Sequence, residues 1–285
     1  HLVTHADGTP YERDGEVFLT WTCAGLGGFR QAHWGVFALD PAAPAEMRQV
    51  AHVISRRDGL LYGDHAGQLV RDGDDWLVAV STWGDFSHAR GVHVRHARTD
   101  ADLLSGVHVI DTERTALPTE LSTWDPALLR EDGGWLVAYV ESPSVKPFRF
   151  RPALARTAAD EPWSGLRAAG SVAGLDQCEG PILVRRDGVT WLLASDGRGR
   201  RFPVFEVPVF DGQLAPAGEV SAPYPTNIPH PQLLRRDSDS GGSWLMLTFD
   251  GTRNEPRRRE TGRRPVMGYG GHGDVVVMTA REGER

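Results

Sequence analysis

The chain has 285 residues, of which 40% are hydrophobic and 24% are charged, and its formal net charge is -7. This length and apolar content suffice for one large domain with a packed core, while the negative charge disfavours nucleic acid or an anionic membrane surface as a partner. The sequence contains no run of 18 or more apolar residues, which excludes a bilayer-spanning helix.

Two cysteines, Cys23 and Cys178, are too few for a disulfide scaffold, and we interpret both as small buried residues. The chain starts with His1 rather than methionine, as a processed chain would. Both a secreted and a cytoplasmic location therefore stay open, and we expect a monomer.

Short β-rich runs separated by Gly, Asp, Asn and Pro clusters predict an all-β fold with many turns. Five similar phrases begin at residues 7, 65, 125, 180 and 230. In chain order they read DGTPYERDGEVFLTWT, HAGQLVRDGDDWLVAVST, DPALLREDGGWLVAYVES, GPILVRRDGVTWLLAS and HPQLLRRDSDSGGSWLMLTF. Each phrase predicts a short apolar strand, a tight Asp/Gly turn and a second strand that usually begins with Trp.

The residues after each phrase leave room for two further strands, as in GVHVRHAR (91–98) and PVFEVPVF (203–210). Five repeats of four strands predict a single five-bladed β-propeller over residues 1–285, with four-stranded antiparallel blades around a central axis. A β-sandwich with accidental similarity is the alternative. The first residues, HLVTH, are too short for a blade, so we expect them to pair with an outer strand and complete one blade from both termini.

Ionisable residues occupy the predicted starts of the inner strands, which converge on one end of the channel. Aligning the phrases places Asp7, His65, Asp125, Glu179 and His230 there. Like charges held together raise the pKa of at least one group, which separates a proton donor from a proton acceptor. Glycosidic-bond hydrolysis needs such a pair. The alternative for each Asp is that it only caps a turn.

Aromatic residues after the second strands are candidates for stacking on sugar faces. We predict Trp34, Trp83 and Trp124 in this substrate-binding role, with core packing as the alternative for the first two. Four other tryptophans recur at one position of the repeat and are predicted to lie in the core: Trp76, Trp135, Trp191 and Trp244.

Two arginine clusters, RGRR at 198–201 and RRRETGRR at 257–264, are interpreted first as solvated loops. The alternative is that Arg201 or Arg258 binds a carboxylate or phosphate of the substrate. The segment 253–264 has the length and composition of a lid over the pocket.

In the motifs WDPALL and CEGPILV, with an Asp in the first blade and a His in the fifth, the chain resembles the five-bladed glycoside hydrolases of family 43. That group includes arabinanases, arabinofuranosidases and β-xylosidases and, more distantly, the fructan hydrolases. The resemblance implies Asp7 as general base, Asp125 as the residue that tunes pKa and orients, and Glu179 as general acid. It also implies inversion, with acid and base roughly 6.5–9.5 Å apart.

The resemblance further implies that His230 lies near a metal ion or water at the axis. Zinc would need more close ligands than the sequence offers, whereas a calcium ion held by oxygen ligands stays open. We expect no required cofactor.

These observations favour a glycoside hydrolase acting on a pentose or furanose-type sugar. The alternative is a carbohydrate-binding propeller that uses the same central pocket without hydrolysis. A protein-interaction propeller is a third hypothesis, and it would require an exposed apolar face where we expect a polar pocket.

Overall fold

The computed structural model describes residues 1–25, 29–199, 201–208, 212–222, 230–236, 243–250 and 273–281. The strands are β1 Thr4–His5, β2 Glu12–Arg13, β3 Glu16–Cys23, β4 His33–Leu39, β5 Arg48–Arg57, β6 Leu60–Tyr62, β7 His65–Asp72, β8 Asp75–Ser81, β9 Val94–Thr99, β10 Gly106–Asp111, β11 Glu113–Arg114, β12 Ser122–Glu131, β13 Gly134–Val145, β14 Phe148–Thr157, β15 Arg167–Ser171, β16 Cys178–Arg186, β17 Val189–Asp196, β18 Phe202–Glu206, β19 Ala215–Val220, β20 Gln232–Arg236, β21 Ser243–Asp250 and β22 Asp274–Arg281. Three short 3-10 turns lie at Phe29–Gln31, Pro44–Glu46 and Trp83–Asp85.

The strands form five small sheets in a ring, which confirms the predicted five-bladed β-propeller. The third blade (β12 to β15) and the fourth blade (β16 to β19) are four-stranded and antiparallel in chain order. The first blade runs from β2 to β5, with β6 and β10 on its outer side. The second contains β7, β8, β9 and β11, and β1 pairs in parallel with its inner strand β7. The described part of the fifth blade has three strands, β20 to β22.

Apolar side chains fill the spaces between neighbouring blades, because each second strand is apolar on both of its faces. Trp76 and Trp135 are buried as predicted, whereas Trp191 and Trp244 are only partly buried. Each large apolar side chain that leaves water stabilises the fold by roughly 1.5–3 kcal/mol. The ring closes through a leucine cluster shared by the first and fifth blades: Leu2, Leu19, Leu39, Leu234, Leu245 and Leu247.

The first residues do not pair with an outer strand, so that prediction is wrong. Leu2 lies opposite Leu19 of β3, and the Val3 amide donates to Phe18 O at 2.8 Å. Leu2 and Val3 are both buried, and burying them on the inner side of the first blade accounts for the difference. The Leu2 amide also donates to Gln232 Oε1 at 3.0 Å, which ties the first blade to the fifth.

None of the helical turns in the described ranges has the length and apolar character needed to cross a membrane.

Candidate active site

Four inner strands each have a residue with a left-handed backbone conformation at the same end of the ring. We call this end the mouth. These residues are Ala66 (φ 55°), Asp125 (φ 50°), Gly180 (φ 66°) and His230 (φ 44°). In blades two to four a register shift accompanies this residue. Such bulges re-aim side chains, and a non-glycine residue in this conformation costs on the order of 1–2 kcal/mol. Backbone strain is therefore concentrated where the ionisable residues meet.

Hydroxyl groups from one blade hold the strand tips of the next. The Asp125 amide donates to Ser81 Oγ at 2.9 Å, and the His230 amide donates to Ser195 Oγ at 3.1 Å. Thr20 also bridges to the next blade, but as a donor, from its Oγ1 to Gly67 O at 2.8 Å. These contacts, which we call the cross-blade braces, position the tips relative to one another.

The mouth brings four predicted site residues together: Asp125, Glu179, His230 and Trp124. Asp125 Oδ2 accepts the Gly180 amide at 3.1 Å and lies 4.0 Å from His230 Nδ1. Glu179 Oε1 lies 3.8 Å from His230 Nε2, on the other side of the same ring. Trp124 Nε1 donates to Glu179 Oε2 at 3.0 Å. One histidine thus separates two carboxylates, and one of these carries an indole hydrogen bond.

Burial sets the protonation of this group. Burial, together with the charge of Glu179, raises the pKa of Asp125 well above its usual value. Burial raises the pKa of Glu179 to about 7, against the opposing effect of the Trp124 hydrogen bond. Burial lowers the pKa of His230 to about 4, so near pH 7 this ring is neutral and its contacts are not ion pairs. The carboxyl pair can therefore retain a proton at neutral pH.

His65 and Trp83 extend the wall of the mouth towards the second blade. His65 is 2% exposed, its Nδ1 donates to Gly63 O at 2.9 Å, and burial lowers its pKa to about 4. Its ring stacks on Trp83 at 6.4 Å, and Trp83 meets Trp124 edge-on at 5.8 Å. Trp83 is only partly buried, so its predicted sugar contact stays a prediction. Trp124 and His65 are each 2% exposed and too buried for an open sugar contact, so Trp124 supports Glu179 and His65 supports Trp83 instead.

Asp7 does not lie at the mouth, so its predicted place beside Asp125 and Glu179 is wrong. Its neighbour Ala6 accepts the Arg130 amide at 2.7 Å, and Arg130 lies five residues beyond Asp125 along β12. At about 3.3 Å per residue this separates Asp7 from the mouth by roughly 15 Å. The exposed carboxylate of Asp7 instead accepts the Thr9 hydroxyl at 2.6 Å in a turn.

Trp34 does not face the pocket either. It is 1% exposed and belongs to the apolar cluster between the first two blades, so its alternative reading, core packing, is the one observed.

Arg201 lies near the rim without contacting the carboxyl pair directly. Its Nη2 lies 2.9 Å from Asp196 Oδ2, and Asp196 is paired with Cys178, one residue before Glu179. The side chain is half exposed, which keeps the predicted role of binding an acidic substrate group open. Arg258 and the predicted lid at 253–264 lie outside the described residues.

The described residues contain no cluster of three or more His, Cys, Asp or Glu side chains that could hold a metal ion. The predicted calcium site beside His230 thus has two nearby carboxylates but no complete ligand set among these residues, and we derive no step through a metal.

Sequence reasoning missed the two serines of the cross-blade braces. Ser81 ends VAVS in the second phrase and Ser195 ends LLAS in the fourth, so a polar residue recurs where the second strand reaches the mouth. A serine that closes an otherwise apolar strand is the signal that could have found them.

No protein-family profile and no curated protein sequence matches the chain. Solved structures do match. A GH43_1 enzyme from Xanthomonas citri aligns with a TM-score of 0.60 at 15% identity over 99% of this chain and 88% of that one. An α-L-arabinofuranosidase from Lactobacillus brevis aligns with a TM-score of 0.63 at 12% identity, over 96% and 90%. A sucrose-6-phosphate hydrolase from Lactobacillus gasseri aligns with a TM-score of 0.59 at 13% identity, over 87% and 53%.

The chain has the fold of a family 43-like propeller. The structural neighbours named above are glycoside hydrolases, and at 12–15% identity the likeness establishes the shared fold rather than a shared reaction.

Proposed function

We propose that this protein is a glycoside hydrolase with Glu179 as its general acid. One observation carries the proposal: two carboxyl groups, the buried Asp125 and the partly buried Glu179, lie within 4.0 Å of the same His230 ring at the mouth. Among the described residues neither forms an ion pair with Arg or Lys. Unpaired buried carboxyl groups with raised pKa values are costly to the fold and typical of sites that move protons.

The chemistry assigned to Glu179 is protonation of the leaving glycosidic oxygen as the bond to the anomeric carbon breaks. Its pKa of about 7 keeps much of the group protonated at neutral pH, and the Trp124 N–H stabilises the carboxylate left after the proton has gone. In this proposal Asp125 helps to keep one proton on the carboxyl pair, since two neighbouring carboxyl groups resist ionising together and the charge of Glu179 raises the pKa of Asp125. We do not assign the base that activates water, because Asp7 lies at the other end of the ring.

We propose a pentose or furanose-type sugar as substrate and inversion as the stereochemical outcome. Support for the sugar comes from the fold neighbours, one of which is described as a β-xylosidase/α-arabinofuranosidase and another as an arabinanase with bound arabinobiose. The partly buried ring of Trp83, which packs edge-on against Trp124, fits a small sugar ring with an apolar face.

The test compares two carboxylate-to-amide variants at opposite ends of the ring. Glu179→Gln should lower kcat/KM on arabinobiose or xylotriose at least about 100-fold, because the leaving oxygen loses its proton donor. The loss should be smaller on 4-nitrophenyl glycosides, whose leaving group departs without a proton. Asp7→Asn is the matched control and should stay within about twofold of the parent.

Equal activity of Glu179→Gln and the parent would remove Glu179 from the acid role. A large loss in Asp7→Asn would contradict its placement away from the site. Proton NMR of the first-formed product tests inversion separately, since a retained anomeric configuration would rule it out.

A sugar-binding propeller without hydrolysis is the second candidate. The observation that favours it is the displacement of Asp7, which leaves two carboxylates instead of three at the mouth within the described ranges. Calorimetric binding of arabinobiose or xylotriose by the unsubstituted protein, with no product released, would establish this candidate.

A further inference from the structure

The hairpin formed by β13 and β14 carries exposed apolar side chains at its tip. Val145 pairs with Phe148 across the turn, and the two are 66% and 49% exposed. Half-exposed aromatic rings are informative when they adjoin a polar pocket, because such rings commonly contact ligands.

The Phe148 ring covers the buried Trp124 and extends its aromatic stack out to solvent. It stacks on Trp124 at 6.2 Å with an interplanar angle of 23°, and it packs against Phe150 at 5.0 Å. Trp124 in turn donates its indole N–H to Glu179. A single stack of rings therefore leads from the proposed acid to the outer rim.

The segment that leads to Glu179 anchors this hairpin. Gln177 Nε2 donates to Phe148 O at 2.5 Å, and the Phe150 amide donates to Asp176 O at 3.2 Å. Gln177 and Asp176 lie two and three residues before Glu179. The position of the exposed ring is thereby fixed relative to the proposed acid, as a preorganised binding surface requires.

We propose that Phe148 is the stacking surface for the sugar unit on the leaving-group side of the scissile bond. The inference rests on the proposed function, in which Glu179 protonates the oxygen between two sugar units. A unit that leaves past Glu179 towards the rim meets the Phe148 face, and its C–H groups can cover that apolar ring. The ligand class is an oligosaccharide of at least two units, whereas a monosaccharide in the mouth does not reach Phe148.

Binding without turnover tests this assignment. In a Glu179→Gln background, calorimetry would compare xylose with xylotriose and arabinose with arabinobiose, for Phe148→Ala, Phe148→Tyr and Val145→Ala. We expect Phe148→Ala to weaken oligosaccharide binding about five- to tenfold and monosaccharide binding less than about twofold. Phe148→Tyr should restore affinity because it keeps the ring. Val145→Ala, which trims exposed apolar surface at the same turn, is the matched control and should have little effect.

Each remaining outcome overturns a stated claim. If none of the four sugars binds in the Glu179→Gln background or to the unsubstituted protein, the proposed pentose specificity fails, and the Phe148 assignment fails with it. If sugars bind but Phe148→Ala changes neither class, or changes both equally, only the Phe148 assignment fails. Equal losses in Val145→Ala and Phe148→Ala would show that ring stacking is not the cause.

Discussion

The two ends of the propeller hold their carboxylates in opposite ways. At the mouth, the buried Asp125 and the partly buried Glu179 lie on two sides of a neutral histidine. At the far end, Asp72 lies 2.9 Å from Arg98 and 3.2 Å from Arg130. The far-end carboxylate is paired with cations and links the second blade to the third. At the mouth, burial raises the pKa of both carboxyl groups, and the charge of Glu179 also raises that of Asp125.

This difference distinguishes acids that hold the fold together from acids that do chemistry. An exposed ion pair stabilises a protein by at most about 1 kcal/mol, and it keeps its carboxylate ionised. A buried and unpaired carboxyl group lowers stability above its pKa but can deliver a proton near pH 7. An acidic residue near a strand end therefore does not show whether it stabilises the fold or transfers protons until its interaction partners are known.

The largest expected effect comes from adding one methyl group at the mouth. Gly180 has φ 66°, and a Cβ there would lie 2.2 Å from His230 Nδ1. Gly73, in a far-end turn, has a similar φ of 61° but no atom within 4 Å of such a Cβ. We expect Gly180→Ala to lower the free energy of unfolding by roughly 2–4 kcal/mol and Gly73→Ala by about 1 kcal/mol.

Urea denaturation of both variants measures that contrast, and activity assays should show a loss only for Gly180→Ala. Equal destabilisation by the two substitutions would mean that His230 is not fixed against Gly180, and the description of the mouth as a tightly packed group would be wrong.

A smaller effect is expected on the free energy of unfolding at alkaline pH. Removing a carboxylate should raise this free energy at the mouth and lower it at the far end. The pKa of Glu179 is raised from 4.5 to about 7 in the folded protein, so the folded state binds this proton more tightly than the unfolded state does. The contribution of Glu179 to the free energy of unfolding is therefore complete below pH 4.5 and is lost as pH rises through 7. Glu179→Gln should therefore increase the free energy of unfolding at pH 8 by roughly 1–3 kcal/mol.

Asp72→Asn should lower the same free energy at pH 8 by about 1 kcal/mol, because it removes the acceptor of two arginines. Thermal unfolding of both variants at pH 5 and pH 8 checks the signs. A Glu179→Gln protein less stable than the parent at pH 8 would show that this carboxyl group is not strained by burial.

The smallest expected effect is a displacement of the pH–activity profile. The Trp124 N–H stabilises ionised Glu179 and so lowers its pKa. Trp124→Phe removes that donor, and we expect the alkaline limb of kcat/KM to move to higher pH. Trp135→Phe is the control, because its N–H donates to Asp160 O at the far end and should leave the limb in place. An alkaline limb that moves to lower pH in Trp124→Phe would contradict the assignment.

Much of the fold could be predicted because each repeated phrase consists of strand-forming residues on both sides of a turn-forming Asp/Gly pair. The hairpins β7/β8, β12/β13, β16/β17 and β20/β21 follow the second to fifth phrases. The first phrase differs from this pattern, because Leu2 and Val3, which precede Asp7, pair with β3 on the inner edge of the first blade. In a sequence, an Asp-Gly pair in a turn cannot be distinguished from one at the start of a strand. In the structure Gly8 has a φ of 86°, and Asp7 and Gly8 lie in a turn.

The grouping of Asp125, Glu179 and His230 was also within reach of the sequence, since all three follow from the phrase alignment. The two tryptophans Trp34 and Trp83 could not be told apart in that way. Both follow a second strand and both precede a glycine, yet only three-dimensional packing decides that the first enters the core and the second lines the mouth.

The cross-blade braces have a consequence for how such a protein can change over evolutionary time. Since the strand tips of the second, third and fifth blades are each held by the blade before them, outer loops can lengthen, shrink or exchange without disturbing the spacing at the centre. Removing a whole sector would instead release two tips at once, so new specificities are expected to arise at the circumference while the number of sectors stays constant.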